Sequence, residues 1–117
     1  MLVIPDNSSV FLRLEATDMR KSINGLSVMV IELLKQNPQS GHLFIFRNRK
    51  GDKLKALHYE QNCFTLWYRR LEKGKYIFPR NAEGVIELDK AHFAWLLASD
   101  KYSSWDAMQQ QTYENYF

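Results

Sequence analysis

The chain has 117 residues, of which 45% are hydrophobic and 25% are charged, and its formal net charge at pH 7 is +3. This length suits one domain around a single core, and the composition is that of a globular protein, which excludes a disordered chain. No apolar run reaches the roughly 18 residues that cross a bilayer, the N-terminus lacks a signal-peptide pattern, and the single cysteine, Cys63, excludes an internal disulfide. We therefore expect a cytoplasmic protein without a membrane partner.

The first predicted elements along the chain are a strand and a helix. Apolar and polar residues alternate over residues 10–14, which predicts a short strand. Apolar residues then recur at helical spacing behind Asp18, which predicts a helix over residues 18–36 with Asp18 as its N-cap. Arg20 and Lys21 would lie in its first turn, where the helix dipole disfavours cations. Either nearby acids neutralise them, or they hold a phosphate or an acid of a partner.

The middle of the chain predicts an antiparallel β-meander, because strand-like segments alternate with turns rich in Gly, Asn and charged residues. The predicted strands comprise residues 42–47, 53–59, 64–71 and 75–78. The third of these segments also fits helical spacing, but its aromatic residues and the bracketing turns favour a strand. A two-residue turn at Gln61-Asn62 would fix the register of the hairpin. The opposed pairs would be Tyr59 and Phe64, Leu57 and Leu66, Lys55 and Tyr68, and Lys53 and Arg70 on one face, with Ala56 and Trp67, and Leu54 and Arg69, on the other.

A last strand at residues 85–88 and a second helix, capped by Asp89 and ending at Ser99, complete the predicted fold. The expected fold class is α+β, with an antiparallel β-meander packed against one N-terminal helix and a second short helix near the C-terminus, at the side of the sheet. Residues 1–99 form the predicted single domain. The polar and aromatic tail of residues 100–117 is expected to be partly ordered at best.

Positive charge is concentrated in the middle of the chain. Residues 41–80 contain ten of the sixteen Lys and Arg residues and only three of the thirteen acids. Cations alternate there with aromatic residues, which is typical of a nucleic-acid contact because phosphates present closely spaced negative charge. The same pattern also fits ordinary solvated strand faces and turns. The candidate phosphate-binding residues are Arg47, Arg49, Lys50, Lys53, Lys55, Arg69, Arg70, Lys73 and Lys75, and the candidate rings for stacking on an unpaired base are Trp67 and Tyr76.

Catalytic and cofactor motifs are missing from the sequence. It has no Gly-rich phosphate loop, no Cys and His spacing typical of zinc, and no pair of carboxylates at a spacing that would converge on Mg²⁺. The three histidines, His42, His58 and His92, fall on different predicted elements. We therefore expect a protein that is not an enzyme and that holds neither a metal nor a nucleotide cofactor.

Three sequence blocks carry a resemblance to a known family. Residues 17–26, 44–55 and 70–74, in this order and spacing, resemble the TnpB (second open reading frame) accessory protein of bacterial insertion sequences of the sixty-six type. The resemblance runs from Val10 to Leu97. It implies an accessory role in DNA transposition beside a separate, larger transposase that carries the catalytic carboxylates. The chain departs from the family pattern at residues 58–62, which lack the glycine of a Trp-Asp-Gly-type turn, and after Ser99.

Two functional hypotheses follow for the cationic middle of the chain. In the first, a non-catalytic accessory protein contacts DNA at the insertion-sequence ends through the nine candidate residues. Such phosphate contacts give weak, salt-dependent and largely nonspecific binding, since they carry no sequence information. In the second, the protein is an adaptor whose cations meet an acidic surface of the transposase, without direct DNA binding.

Overall fold

The computed structural model describes residues 8–78 and 83–98, which form one sheet and two helices. The elements in chain order are β1 (Val10–Arg13), α1 (Ile23–Glu32), β2 (Leu43–Arg47), β3 (Lys53–Glu60), β4 (Cys63–Arg70), β5 (Val85–Leu88) and α2 (Lys90–Leu97). The predicted α+β class is therefore confirmed. The prediction for the tail of residues 100–117 lies outside the described residues. Helix α2 ends at Leu97, two residues before the predicted end at Ser99.

The sheet has the strand order β4-β3-β2-β1-β5. Strands β2, β3 and β4 form the predicted antiparallel meander. The sheet as a whole is mixed, because β1 pairs parallel with β2 and antiparallel with β5. The parallel pair requires a crossover connection, and the segment containing α1 provides it.

The β3–β4 hairpin has the predicted register at every pair, from Tyr59 opposite Phe64 to Lys53 opposite Arg70. Its two turn residues are Gln61 and Asn62, whose φ angles are 50° and 62°. A two-residue turn of type I′ needs positive φ at both positions, and its twist matches that of the flanking strands. The turn thus forms without the glycine found in the family pattern.

One face of the sheet is covered by α1. The buried cluster on this face joins the apolar stripe of α1 to the strand residues Phe44, Phe46 and Leu57. The predicted helix start at Asp18 is wrong, because α1 begins at Ile23 with Ser22 at the N-cap position. The Asp18 carboxylate instead accepts hydrogen bonds from the Arg20 N–H and guanidinium. The helix also ends before residue 36: Lys35 adopts a positive φ of 55°, and the Gln36 N–H donates to the Val30 carbonyl at 3.1 Å.

The other face of the sheet is covered by α2 and by the segment that follows β4. Helix α2 buries Phe93, Trp95 and Leu96 in a cluster with the inward residues of β1 and β2, so it packs on a face of the sheet rather than at its side. Asp89 accepts the His92 N–H at 2.8 Å, which confirms it as the helix cap. The predicted strand over residues 75–78 is wrong, since this segment packs on the sheet instead of extending it.

Candidate nucleic-acid interface

A polar turn at one end of the sheet presents two exposed cations. The side-chain oxygen of Asn48 accepts the N–H groups of Gly51 and Lys53, both at 3.0 Å, and its amide donates to Asp52 at 2.6 Å. The hydrogen bond from the Asn48 side-chain amide lowers the pKa of the Asp52 carboxyl. Since Asn48 organises the backbone of the turn, Arg49 and Lys50 are left at its exposed tip.

The segment after β4 is tied to the same turn. The Leu71 N–H donates to the Asp52 carbonyl at 2.8 Å, and the Tyr76 N–H donates to the Gly51 carbonyl at 2.7 Å. These two bonds bring the exposed cations Lys73 and Lys75 next to the turn. Cations 20 or more residues apart in sequence therefore meet at one end of the sheet.

The candidate cations on the strands divide between the two faces of the sheet. Lys53, Lys55 and Arg70 lie on the face covered by α1, because every second residue of a strand points to the same side and these cations are in step with Leu57 and Leu66, which pack under α1. Arg47 and Arg69 lie on the opposite face. Seven of the nine candidates are thus grouped around the turn and the α1 face. We call these seven the basic edge, which comprises Arg49, Lys50, Lys53, Lys55, Arg70, Lys73 and Lys75.

Arg47 is committed to contacts within the protein. Its Nε and Nη2 donate to the Leu14 carbonyl at 2.8 and 2.5 Å, and its Nη1 donates to the Asn48 carbonyl at 3.2 Å. The guanidinium also lies 4.9 Å from the ring centroid of Phe78. Burial, and then the nearby charge of Arg13, lower the pKa of Arg47. Arg47 therefore stabilises the fold, and we do not include it in the basic edge.

Two ion pairs involve cations of the basic edge that are themselves exposed. Arg70 donates to Glu72 at 3.1 Å, and the Lys50 ammonium lies 4.0 Å from an Asp52 oxygen. Exposed pairs of this kind contribute about 0–1 kcal/mol and are screened by salt. A phosphate can therefore compete for both cations at little cost.

A groove runs along the α1 face beside the basic edge. We call it the α1-side groove; its volume is about 600 Å³ and its lining residues are Asp18, Met19, Arg20, Lys53, Lys55, Leu66 and Tyr68. The Lys55 ammonium donates to the Lys21 carbonyl at 2.9 Å, which joins the segment before α1 to the sheet. Asp18 neutralises Arg20 through a 2.8 Å ion pair, one of the two alternatives for that cation, and the Arg20 hydrogen bonds lower the pKa of Asp18 to about 2.

Among the aromatic residues that the structure describes, the most exposed one is not among those predicted from the sequence to stack on a base. Tyr76 is buried, with 3% of its surface exposed, and Trp67 is half-buried against the cluster on the α2 face. The Tyr76 ring is therefore not available for stacking on a base, and part of the Trp67 ring is covered. Tyr68 is 50% exposed and lies opposite Lys55. Its position was visible in the predicted hairpin register, which places Tyr68 on the face that also carries Lys53 and Lys55.

Within residues 8–78 and 83–98, no group of three or more His, Cys, Asp and Glu side chains is arranged to hold a metal ion. In the same part of the chain, neither helix is long and apolar enough to cross a membrane.

Comparison with known proteins assigns the chain to a family. The family model for IS66 Orf2-like proteins matches residues 8–108, which extends past Leu97 into the C-terminal segment. An uncharacterized protein of Sinorhizobium fredii, y4hO, is 35% identical over 98 residues, covering 84% of this chain and 85% of that protein. A second one from the same organism, y4jC, is 29% identical over 89 residues, covering 76% of each chain. No solved structure gives a significant match.

The chain belongs to the IS66 Orf2-like family, which is associated with transposition of IS66-type insertion sequences. This confirms the resemblance drawn from the three sequence blocks.

Proposed function

We propose that the protein is a non-catalytic accessory protein of transposition that contacts DNA phosphates at the insertion-sequence ends through the basic edge. The observation that carries this proposal is the pairing of Lys53 directly opposite Arg70 on one face of the β3–β4 hairpin. Like charges directly opposite each other destabilise an antiparallel pair. A negatively charged ligand that contacts both cations would offset this repulsion.

The neighbouring cations support the same proposal. Arg49 and Lys50 lie at the exposed tip of the adjoining turn, and Lys73 and Lys75 are held beside it by backbone bonds. The carboxylates of Glu72, which is exposed, and Asp52, which is partly buried, satisfy only part of this charge. Closely spaced phosphates suit such a surface because binding releases the counterions condensed on DNA.

The test is a titration of fluorescently labelled insertion-sequence end DNA at several salt concentrations. Arg49→Gln/Lys50→Gln should weaken binding equally for any DNA sequence and should reduce the salt slope by roughly two units, about 0.9 for each lost phosphate contact. Both residues are exposed turn positions, so the free energy of unfolding should change by no more than about 0.5 kcal/mol. Unchanged affinity and salt slope would exclude these two residues as phosphate contacts.

Lys35→Gln/Lys90→Gln is the matched control, because it removes the same net charge at the other end of the sheet. Lys35 follows α1 on the way to the start of β2, and Lys90 follows β5, whose Leu88 is paired with Val10. The basic edge lies instead beyond Arg47, the last residue of β2. If binding depended only on net charge, this control variant would lose as much affinity as the turn variant.

The second candidate function is that of an adaptor to the transposase. The outward side of α1 and its C-terminal end leave Val28, Ile31 and Leu33 about half exposed, and large exposed apolar side chains favour a protein contact. An adaptor would use this surface, or the basic edge against an acidic surface, without binding DNA itself. In that case Val28→Gln/Ile31→Gln would reduce co-purification with the transposase, and the isolated wild-type protein would not shift DNA.

A further inference from the structure

The α1-side groove combines an apolar floor with a cationic rim. Met19 and Leu66 line it and also pack against the core cluster under α1. Arg20, Lys53 and Lys55 contribute three cations against the single carboxylate of Asp18. An apolar floor inside a positive rim suits a ligand that has both a flat apolar part and a negative charge.

The Lys55 ammonium is held at the side of the groove by contacts within the protein. Its ammonium donates one hydrogen bond to the Lys21 carbonyl at 2.9 Å and lies 5.9 Å from the ring centroid of Tyr68. An ammonium has three donors, so two remain for a phosphate. The fixed position lowers the entropy that is lost when an anion binds.

Tyr68 provides the flat surface. It lies on β4, an edge strand of the sheet, and half of its surface is exposed beside the groove. The contact between Tyr68 and Lys55 across the two strands stabilises the hairpin slightly, and this structural role accounts for the part of the ring that touches Lys55. It does not account for the exposed part of the ring, which borders the groove beside Arg20 and Lys53.

We propose that the α1-side groove binds a nucleotide of an unpaired DNA strand, with the base stacked on Tyr68 and the adjoining phosphates on Lys53 and Lys55. This inference rests on the proposed function and narrows it to single-stranded segments of the DNA. Aromatic rings bordered by cations bind single strands because every base has a stacking face, whereas the bases of a duplex are already stacked on one another.

The experiment measures the anisotropy of fluorescein-labelled oligodeoxythymidine and of a fluorescein-labelled duplex of the same length. Tyr68→Thr keeps a residue suited to a strand and removes the ring. It should weaken single-strand binding roughly 5- to 150-fold, the range for loss of one stacked base, and leave duplex affinity unchanged. The salt slope should stay the same, since no charge is removed. Tyr68→Phe, which keeps the ring, should bind the single strand like the wild type.

The outcomes separate this inference from the proposed function. A wild-type protein that binds neither DNA would overturn both. If Arg49→Gln/Lys50→Gln weakens binding to both DNAs while Tyr68→Thr changes neither, the basic edge contacts DNA and the stacking site is refuted. Equal losses for single strand and duplex in a folded Tyr68→Thr protein would also refute it, and circular dichroism establishes whether that variant is folded.

Discussion

A substitution of Arg47 tests most directly which cations stabilise the fold and which are free to contact a ligand. Its guanidinium contacts the Leu14 carbonyl just after β1, the Asn48 carbonyl of the polar turn, and the Phe78 ring of the segment that packs on the sheet. These groups belong to three separate parts of the chain. Loss of the guanidinium should therefore loosen the fold and not merely remove a charge.

The size of the effect can be worked out from these contacts. In Arg47→Met the buried Leu14 carbonyl loses its side-chain donors, which costs about 1–3 kcal/mol, and the contact over Phe78 contributes about 0.5–1 kcal/mol. Methionine carries no charge, so the cost of partly burying the Arg47 guanidinium disappears, and this gain offsets part of the loss. We expect a net destabilisation of about 2 kcal/mol, which corresponds to a melting temperature lower by roughly 8 °C for a domain of this size.

Thermal and urea unfolding followed by circular dichroism provides the assay. Arg47→Lys keeps the charge but cannot reproduce the fork of donors, so it should recover less than half of the lost stability. Arg49→Met, at the neighbouring exposed turn, should stay within about 0.5 kcal/mol of the wild type. If Arg47→Met kept the wild-type stability and lowered the salt slope of DNA binding by about one unit, Arg47 would be a phosphate contact and the assignment to folding would be refuted.

Two further predictions concern the groove and the hairpin. Asp18→Asn should strengthen binding of oligodeoxythymidine roughly fourfold at physiological salt in an anisotropy titration, because it frees Arg20 for one more phosphate while its side-chain oxygen still accepts the Arg20 N–H. Asn62→Val should lower the free energy of unfolding by about 1–2 kcal/mol in urea titrations, since a β-branched residue fits poorly at a φ of 62°.

Each of these two predictions has its own control. Asp18→Asn/Arg20→Gln should lose the gain in affinity, and a double variant that retained it would show that Arg20 is not the source. Asn62→Gly should be as stable as the wild type or slightly more so, because glycine adopts positive φ without strain. Equal destabilisation by valine and glycine would mean that the side-chain contact between Tyr59 and Asn62, at 3.3 Å, matters more than the backbone.

The hairpin could be predicted because its register depends on local features alone. A two-residue turn at Gln61-Asn62 fixes which residues face each other, and the alternation of apolar and polar residues fixes the faces. Both signals lie within one stretch of sequence. The grouping of Lys53 with Arg70, which carries the proposed function, follows from them directly.

Other features depend on contacts between distant residues and could not be predicted. The parallel pairing of β1 with β2 depends on the crossover through α1, and the sequence of β1 does not specify its partner. The segment 75–78 has the composition of a strand, but its N–H at Tyr76 bonds to the Gly51 carbonyl and the ring is buried by the sheet. Arg47 resembles its exposed neighbours in sequence, and its contacts with the Leu14 carbonyl and the Phe78 ring, which are distant in sequence, distinguish it.

The late start of α1 connects the fold to the candidate site. Strand β4 has eight residues and is about 26 Å long, whereas the ten residues of α1 span about 15 Å, so the helix covers only part of that face. The covered part is apolar, and the uncovered part carries Lys53, Tyr68 and Arg70. A helix that began at Asp18 would extend over the region where the groove now lies. The Asp18–Arg20 ion pair thus stabilises the non-helical conformation of residues 18–20, which precede α1. In this conformation the α1-side groove is not covered by the helix.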